Sequence, residues 1–423
     1  MEGEVIRRTS FGERPLVGER GTLTQRRILG AGLDVFAEHG YHDARVELIT
    51  EVAGCSRPAF YQYFSSKEDL FWHLAGHLAR ALHATAERIE PAPADDTGVD
   101  STRAWLGELV DLSVDFAPIM TGFQAAVRDR VPDGPEFRRI GARVGEAVIA
   151  SGGEGPEPAV TALTNTTTGV VLRSIFYWHV GVGGLSRPRL ETGLARMVHR
   201  LLHGPVPGVN VDPVTKAPRR RPPKWPEFPE TATAHLPTRE RGRRTRRSLL
   251  DAARVVLPRR GYHDTRVDDV VAEAGVSHGT FYRYFGHKDD LFHVLAQETV
   301  SELVELVASF PDTVTDGSVH AWLRDWFAAY RDNGGVISAW QEFDHEDPEL
   351  ARYSLAVAAV LFDRLTRIVH TRDFGDPTVD ALVLLSVIER VPYSVLVLGH
   401  LDEDEAVAAA TLVIRRGIFG LDA

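Results

Sequence analysis

The sequence predicts an all-α protein made of two consecutive helical units, and three observations carry that reading. A block of 32 residues occurs twice, helical periodicity dominates while strand signals are nearly absent, and a proline-dense break separates the two occurrences. Residues 40–71, GYHDARVELITEVAGCSRPAFYQYFSSKEDLF, align without a gap to residues 261–292, GYHDTRVDDVVAEAGVSHGTFYRYFGHKDDLF, at an offset of 221. Roughly half the positions are identical and most others conservative, so the unit is duplicated. The likeness fades but continues beyond this block. Ala104-Trp105-Leu106 answers Ala321-Trp322-Leu323, and Pro135-Glu136-Phe137 answers Pro348-Glu349-Leu350, with slightly smaller offsets.

Helical period is plain in Ile28, Leu29, Leu33, Val35 and Phe36, and again in Leu106, Leu109, Val110 and Val114. Residues 204–238 are dense in proline and keep no such period, as an extended linker would. The linker carries Arg219, Arg220, Arg221 and Lys224, which suit a solvated spacer or a DNA-backbone contact. The expected layout is an arm over 1–21, a helix-turn-helix head over 22–82 and a helical body over 83–203. After the linker, a second head spans 239–303 and a second body 304–423.

At 423 residues the chain exceeds one ordinary core, and 43% hydrophobic with 25% charged residues is a globular balance. A single cysteine, Cys55, excludes an internal disulfide and fits a reducing compartment. No export signal is visible and no run of about 18 uncharged apolar residues occurs, so a cytoplasmic protein with no membrane partner is expected. The phosphate-loop, Gly-x-Ser-x-Gly and metal-ligand patterns of common enzymes are missing, which argues against catalysis, a metal or a cofactor. Gly181-Val182-Gly183-Gly184 lacks the flanking strand that a dinucleotide site needs. His73 and His77 have ligand spacing but no third donor, so ordinary helix-surface or core roles are expected for them.

Each head reads as an amphipathic helix, about 22–39 and 243–260, ended by Gly40 or Gly261 in a left-handed cap. A short helix follows, about 46–53 and 267–274. Then come Gly54-Cys55-Ser56 or Gly275-Val276-Ser277, where glycine permits the turn and serine caps the next helix. That helix, about 57–64 and 278–285, alternates polar and aromatic side chains as a major-groove reader would. The DNA-facing set expected in the first head is Arg45, Ser56, Arg57, Pro58, Tyr61, Gln62, Tyr63 and Lys67. In the second head it is Arg266, Ser277, His278, Gly279, Thr280, Tyr282, Arg283, Tyr284 and Lys288. Lys67 and Lys288 stand at helix N-termini, where their charge opposes the dipole, so an external phosphate is the expected partner.

Both segments resemble the N-terminal domain of the TetR family, whose pattern is Ala-Gly-Val-Ser, Gly-Thr-(Leu/Phe)-Tyr-x-(His/Tyr)-Phe, then Lys and an acidic-Leu pair. The second copy follows it through Ala274, Gly275, Val276, Ser277, Gly279, Thr280, Phe281, Tyr282, Tyr284, Phe285, Lys288 and Leu291. The first departs at Cys55, Pro58 and Ala59. Cys55 reads as a small apolar stand-in for valine, Pro58 is tolerated near a helix start, and Ala59 lacks a phosphate-gripping hydroxyl. The charge is uneven too. Residues 239–293 hold twelve basic and eight acidic residues, residues 22–73 five and seven, and the whole chain is at −11. The second head alone has the footprint of a nucleic-acid binder.

The resemblance implies two TetR-like units, each a three-helix helix-turn-helix domain followed by a helical ligand-binding and dimerisation body. It implies a repressor of a double-stranded DNA operator, released by a small apolar effector. The alternative is a regulator-derived ligand-binding or protein-interaction module that has lost specific DNA binding. Candidate pocket residues are Trp105, Phe116, Phe123, Thr167, Tyr177 and Trp178 in the first body. In the second they are Trp326, Tyr330, Trp340, Phe343 and Tyr393. The polar cluster Thr164–Thr168 in an apolar helix calls for a cavity, a partner helix or bonds to its own backbone. Family bodies pair through their last two long helices, here expected at about 134–152 with 157–180, and about 348–370 with 377–399. The tether favours an intrachain pseudo-dimer over the alternative, a homodimer of chains.

Overall fold

The computed structural model describes residues 19–127, 143–146, 150, 157–206, 208–209, 239–343, 348–370, 375–399 and 401–421. All regular elements among them are helical. They divide into two compact units, one holding residues 1–85 and 111–137, the other 86–110 and 138–423. The N-terminal arm and almost all of the linker fall outside the described residues, and with them the linker arginines.

The first unit contains helices α1 (Glu19–Asp43), α2 (Val46–Val52), α3 (Arg57–Tyr63), α4 (Lys67–Ala86) and α6 (Ala117–Val127), with the end of α5 (Asp96–Asp115). Its core comes from the apolar stripe of α1, Ile28, Val35 and Phe36, closed by Ile49, Phe60, Phe64, Leu70 and Phe71. Tyr41 and Phe71 meet edge to face at 4.9 Å. Gly32 lets α1 approach α4, since a Cβ there would sit 2.8 Å from a Leu70 methyl. Gly40 has φ 71° with ψ 174°. The glycine is therefore needed for a positive-φ, extended kink instead of the expected left-handed helical cap, and helical turns resume to Asp43.

The second unit holds the remaining helices: α7 (Glu157–His179), α8 (Arg187–His203), α9 (Glu240–Asp264), α10 (Val267–Ala274), α11 (His278–Phe281), α12 (Lys288–Ala308), α13 (Asp316–Phe343), α14 (Pro348–Val369), α15 (Pro377–Leu396) and α16 (Glu403–Leu412). A 3-10 turn at Val182–Gly184 and a π-turn at Val413–Ile418 complete it. Helices α9–α12 repeat the plan of α1–α4, and Gly261 repeats the Gly40 kink with φ 71° and ψ 179°. Helix α13 packs on α9 where Pro258 lies against Gly335, at a distance that leaves no room for a Cβ.

The centre of this unit is built by both repeats. Helices α7 and α8 of the first pack on α15, α16 and the π-turn of the second. Helix α15 is buried along nearly its whole length, from Pro377 to Ile388 without a break. Helices α7 and α15 are two of the expected pairing helices and do meet. Helices α8 and α16, outside the expected pairs, join the contact between the repeats, and α14 reaches the first repeat at the 3-10 turn. Most of 134–152 lies outside the described residues, while α14 packs on α15 and the 3-10 turn. Helix α8 buries Leu190, Leu194, Met197 and Leu201 at helical spacing on one face, so it can serve as a bundle helix.

Candidate nucleic-acid interface

In each head a serine sets the start of the exposed helix. The Ser56 hydroxyl accepts from the Ala59 amide and the Ser277 hydroxyl from the Thr280 amide, both at 3.3 Å. The preceding turns use Gly54 at φ 58° and Gly275 at φ 65°, where a side chain would be strained. Phe60 and Phe64, or Phe281 and Phe285, anchor the inner face, and Tyr61 and Tyr282 stand 54% and 56% exposed on the outer one. Gln62, Pro58, Arg45, Gly279, Arg266 and Arg283 are exposed as well, while Tyr63 and Thr280 are half-buried. The Thr280 hydroxyl shares a 2.9 Å hydrogen bond with Ser277. These residues form one polar face per head.

The first residue of each exposed helix is tied back to the preceding helix. Arg57 pairs with Glu47 at 2.7 Å, and His278, when protonated, pairs with Asp268 at 3.1 Å. Both contacts sit at the repeat offset, so this ion pair is part of the duplicated plan. A DNA phosphate or base must compete with those carboxylates for Arg57 and His278.

Two expectations need correction. Lys67 and Lys288 do not await an external anion. The Lys67 ammonium donates to the carbonyl of Tyr41 at 2.9 Å and to that of His42. The Lys288 ammonium donates to the carbonyls of Tyr262 at 2.9 Å and of His263 and Thr265 at 3.3 Å, and lies over the Tyr262 ring. Carbonyls at the kinked ends of α1 and α9 answer the charge that the helix dipole repels. Asp69 and Asp290 do the capping at these N-termini, accepting from the Ser65 amide at 2.8 Å and the Gly286 amide at 2.9 Å. Tyr284 is only 8% exposed and belongs to the core.

Sequence reading missed Arg27, whose guanidinium donates to the carbonyls of Ala53 and of Gly54, the latter at 2.8 Å, and so pins the first turn. The second repeat has Ser248 at that place. Cys55 is half-buried beside this arginine. Burial raises its thiol pKa while Arg27 works against that shift, which suits a packed thiol better than a reactive one. His73 Nδ1 donates within its own helix to the Asp69 carbonyl at 2.8 Å. No group of three metal-ligating side chains occurs among the described residues.

A cavity of about 270 Å3 lies in the second unit between α5, α7 and α8. Trp105 and Thr167 line it as expected, together with Leu109, Leu163, Thr164, Thr168, Val171 and Leu201. The hydroxyls of Thr164 and Thr167 are buried without a hydrogen-bond partner. The other pocket candidates sit elsewhere. Tyr177 binds Glu389, the Trp178 indole donates to the Leu185 carbonyl at 2.9 Å, and the Trp326 indole donates to the Ile388 carbonyl at 2.6 Å. Tyr330 and Tyr393 are buried on α13 and α15, and Phe116 is half-buried between α5 and α6. The side chains of Phe123, Trp340 and Phe343 lie outside the described residues. Helical spacing cannot separate a cavity wall from a core.

Comparison with known proteins agrees with the geometry of the heads. The family model for bacterial regulatory proteins of the TetR family matches residues 28–74 and again 249–295. The chain is 42% identical over 55 residues to an uncharacterized HTH-type transcriptional regulator, YdgC, of Bacillus subtilis, covering 13% of this chain and 28% of the relative. It is 37% identical over 57 residues to the fatty acid metabolism regulator protein of the same organism, covering 14% and 29%. It is 35% identical over 112 residues to the HTH-type transcriptional repressor LfrR of Mycolicibacterium smegmatis, covering 26% and 57%. The matched stretches thus span between about a quarter and somewhat over half of these relatives' lengths.

Proposed function

This chain is a tandem protein of the TetR type, and from that premise we propose that it is a DNA-binding transcriptional regulator whose second head supplies the main grip. The observation that carries this reading is the second head itself. A serine-capped turn of helix, His278–Phe281, starts at His278 and leaves Tyr282 and Arg283 exposed just past its end, on a segment with twelve basic residues against eight acidic ones. Arg283 is free to reach base edges, and Arg266, Thr280 and Tyr282 to hold phosphate. The first head offers Tyr61, Gln62, Arg45 and Arg57 on an acidic background and contributes less.

Repression with release by a small apolar effector is the mode we assign. The cavity supports it, being mostly apolar with unsatisfied threonine hydroxyls ready to orient a guest. Helix α7 carries Thr164, Thr167 and Val171 on the cavity and Ser174 and Tyr177 on the inter-repeat contact, so a guest in one is felt at the other. No helix among the described residues is long and apolar enough to cross a membrane, which agrees with a cytoplasmic regulator. Titration of the full chain against labelled DNA from upstream of its own gene, at low and high salt, tests the reading. Binding should prefer that DNA over random duplex at both salts. Equal, purely salt-dependent affinity for both would favour a module that has lost specific recognition.

A further inference from the structure

The contact between the repeats is built on equivalent positions. Ser174 and Ser386 share a 2.9 Å hydrogen bond, and the Tyr177 hydroxyl donates to the Glu389 carboxylate. Both pairs are 212 residues apart, which continues the offset that starts at 221 in the heads. Each helix therefore meets its own counterpart, as the halves of a two-fold dimer do beside the axis. The residues at that axis are nevertheless unlike. Ion pairs around it share one polarity: Arg173 with Glu389, Arg189 with Asp376, and Arg200 with Asp380 at 3.2 Å. In all three the cation comes from the first repeat and the acid from the second. Arg200 and Asp380 are 2% and 1% exposed, and Arg200 also donates to the Gly417 carbonyl at 2.8 Å.

We infer that this polarity is a pairing code. The bundle face of the first repeat accepts the face of the second repeat and rejects a second copy of itself, and the second repeat does likewise. Two second-repeat faces brought together about the same axis would set Glu389 against Glu389 of the other chain. That place is 17% exposed, where like charges cannot both stay ionised cheaply. Leu385 stands 212 residues after Arg173, so the second repeat has no arginine in Arg173's place, and its own neighbouring Arg390 packs against Gly169 of the first repeat. Two first-repeat faces would strand Arg173, Arg189 and Arg200 without their carboxylates, and an unpaired charge in a closed interface costs more than the pair returns. Duplication has thus turned a self-complementary surface into a directional one. The inference rests on the contact between the repeats and not on DNA binding, and it holds whether one chain or two supply the complementary faces.

Cysteine reporters test it in the full chain with Cys55→Val, so that introduced thiols stand alone. Ser174→Cys/Ser386→Cys should close on mild oxidation into a cross-link within one chain. Ser174→Cys alone and Ser386→Cys alone report self-pairing, since each would couple two chains at double mass, and neither should do so. Adding Glu389→Arg to the paired cysteines should slow cross-linking about tenfold or more. Arg173→Glu with Glu389→Arg should bring it back. If Glu389→Arg unfolds the chain, Ser386→Cys/Glu389→Gln replaces it and should gain the double-mass product that Ser386→Cys lacks. Self-coupling by either single cysteine as fast as the paired reaction would overturn the code, as would a folded charge-swapped chain that fails to recover. A double-mass product from the paired cysteines alone would support the code while placing the two faces on different chains.

Discussion

Lys67 and Lys288 hold the kink between the first helix and the turn because their ammonium groups donate to carbonyls at its end. Lys288→Met should therefore destabilise the second head by about 1–3 kcal/mol, the worth of its charge-assisted hydrogen bonds, and lower the thermal midpoint even without DNA. An unchanged midpoint with weakened DNA binding would return this lysine to a phosphate contact. The buried His199 makes a second residue-scale prediction. Its Nε2 lies 3.0 Å from the Pro93 carbonyl and its Nδ1 has no partner. Burial lowers its pKa below the usual histidine value, with the Pro93 carbonyl pulling the other way. The folded state then binds its proton less readily than the unfolded chain. Stability is fully present above the unfolded pKa and is lost as pH falls toward the folded one. Denaturant midpoints should fall from pH 7 to pH 5, at no more than about 1.4 kcal/mol per pH unit for this group, and His199→Gln should flatten that slope. A slope unaltered in the variant would remove His199 as its source.

The heads show what a sequence can disclose at the scale of an element. Glycine turn and serine cap are local signals and appear where their spacing put them, and the first exposed helix runs Arg57–Tyr63 as expected, but the second, expected over about 278–285, ends at Phe281 with Tyr282 as its C-cap. The lysine contacts were hidden because they join residues 25 and 26 positions apart across a kink. The Arg57–Glu47 pair was hidden because it joins two helices across the turn at Gly54. The exposed helices differ at Arg57, Pro58, Ala59 and Gln62 against His278, Gly279, Thr280 and Arg283. They should read different half-sites, so protection mapping of the operator should give an imperfect palindrome or an asymmetric site. A perfectly symmetric footprint with one chain on each half would contradict this. Arg283→Ala should cost about 1–3 kcal/mol on the specific site and little on random DNA if it reads a base edge. Equal losses on both would make it a phosphate contact.

At the scale of the whole molecule the duplication announced two repeats, but not that helices of both would share one compact unit, nor which helices join them. Helix α8 was overlooked because its apolar stripe is interrupted by Arg196, His199 and Arg200, polar groups that the bundle buries or pairs. The cation on α8 and the acid on α15 that satisfy one another, Arg200 and Asp380, lie 180 residues apart and carry no local signature. That contact also fixes what removal should do. Asp380→Ala strands a buried guanidinium and should cost about 3–5 kcal/mol, far more than an exposed pair such as Arg103 and Asp100. Both repeats contribute to one buried bundle, and a linker of 35 residues, 204–238, joins them in one chain. Tethering of this kind gives an effective concentration in about the millimolar range, well above that of free chains at micromolar levels. The full chain should therefore scatter light as a single 46.7 kDa particle from low to high micromolar concentration. A mass twice as large that survives dilution would mean that the repeats pair between chains, leaving the pseudo-dimer without support.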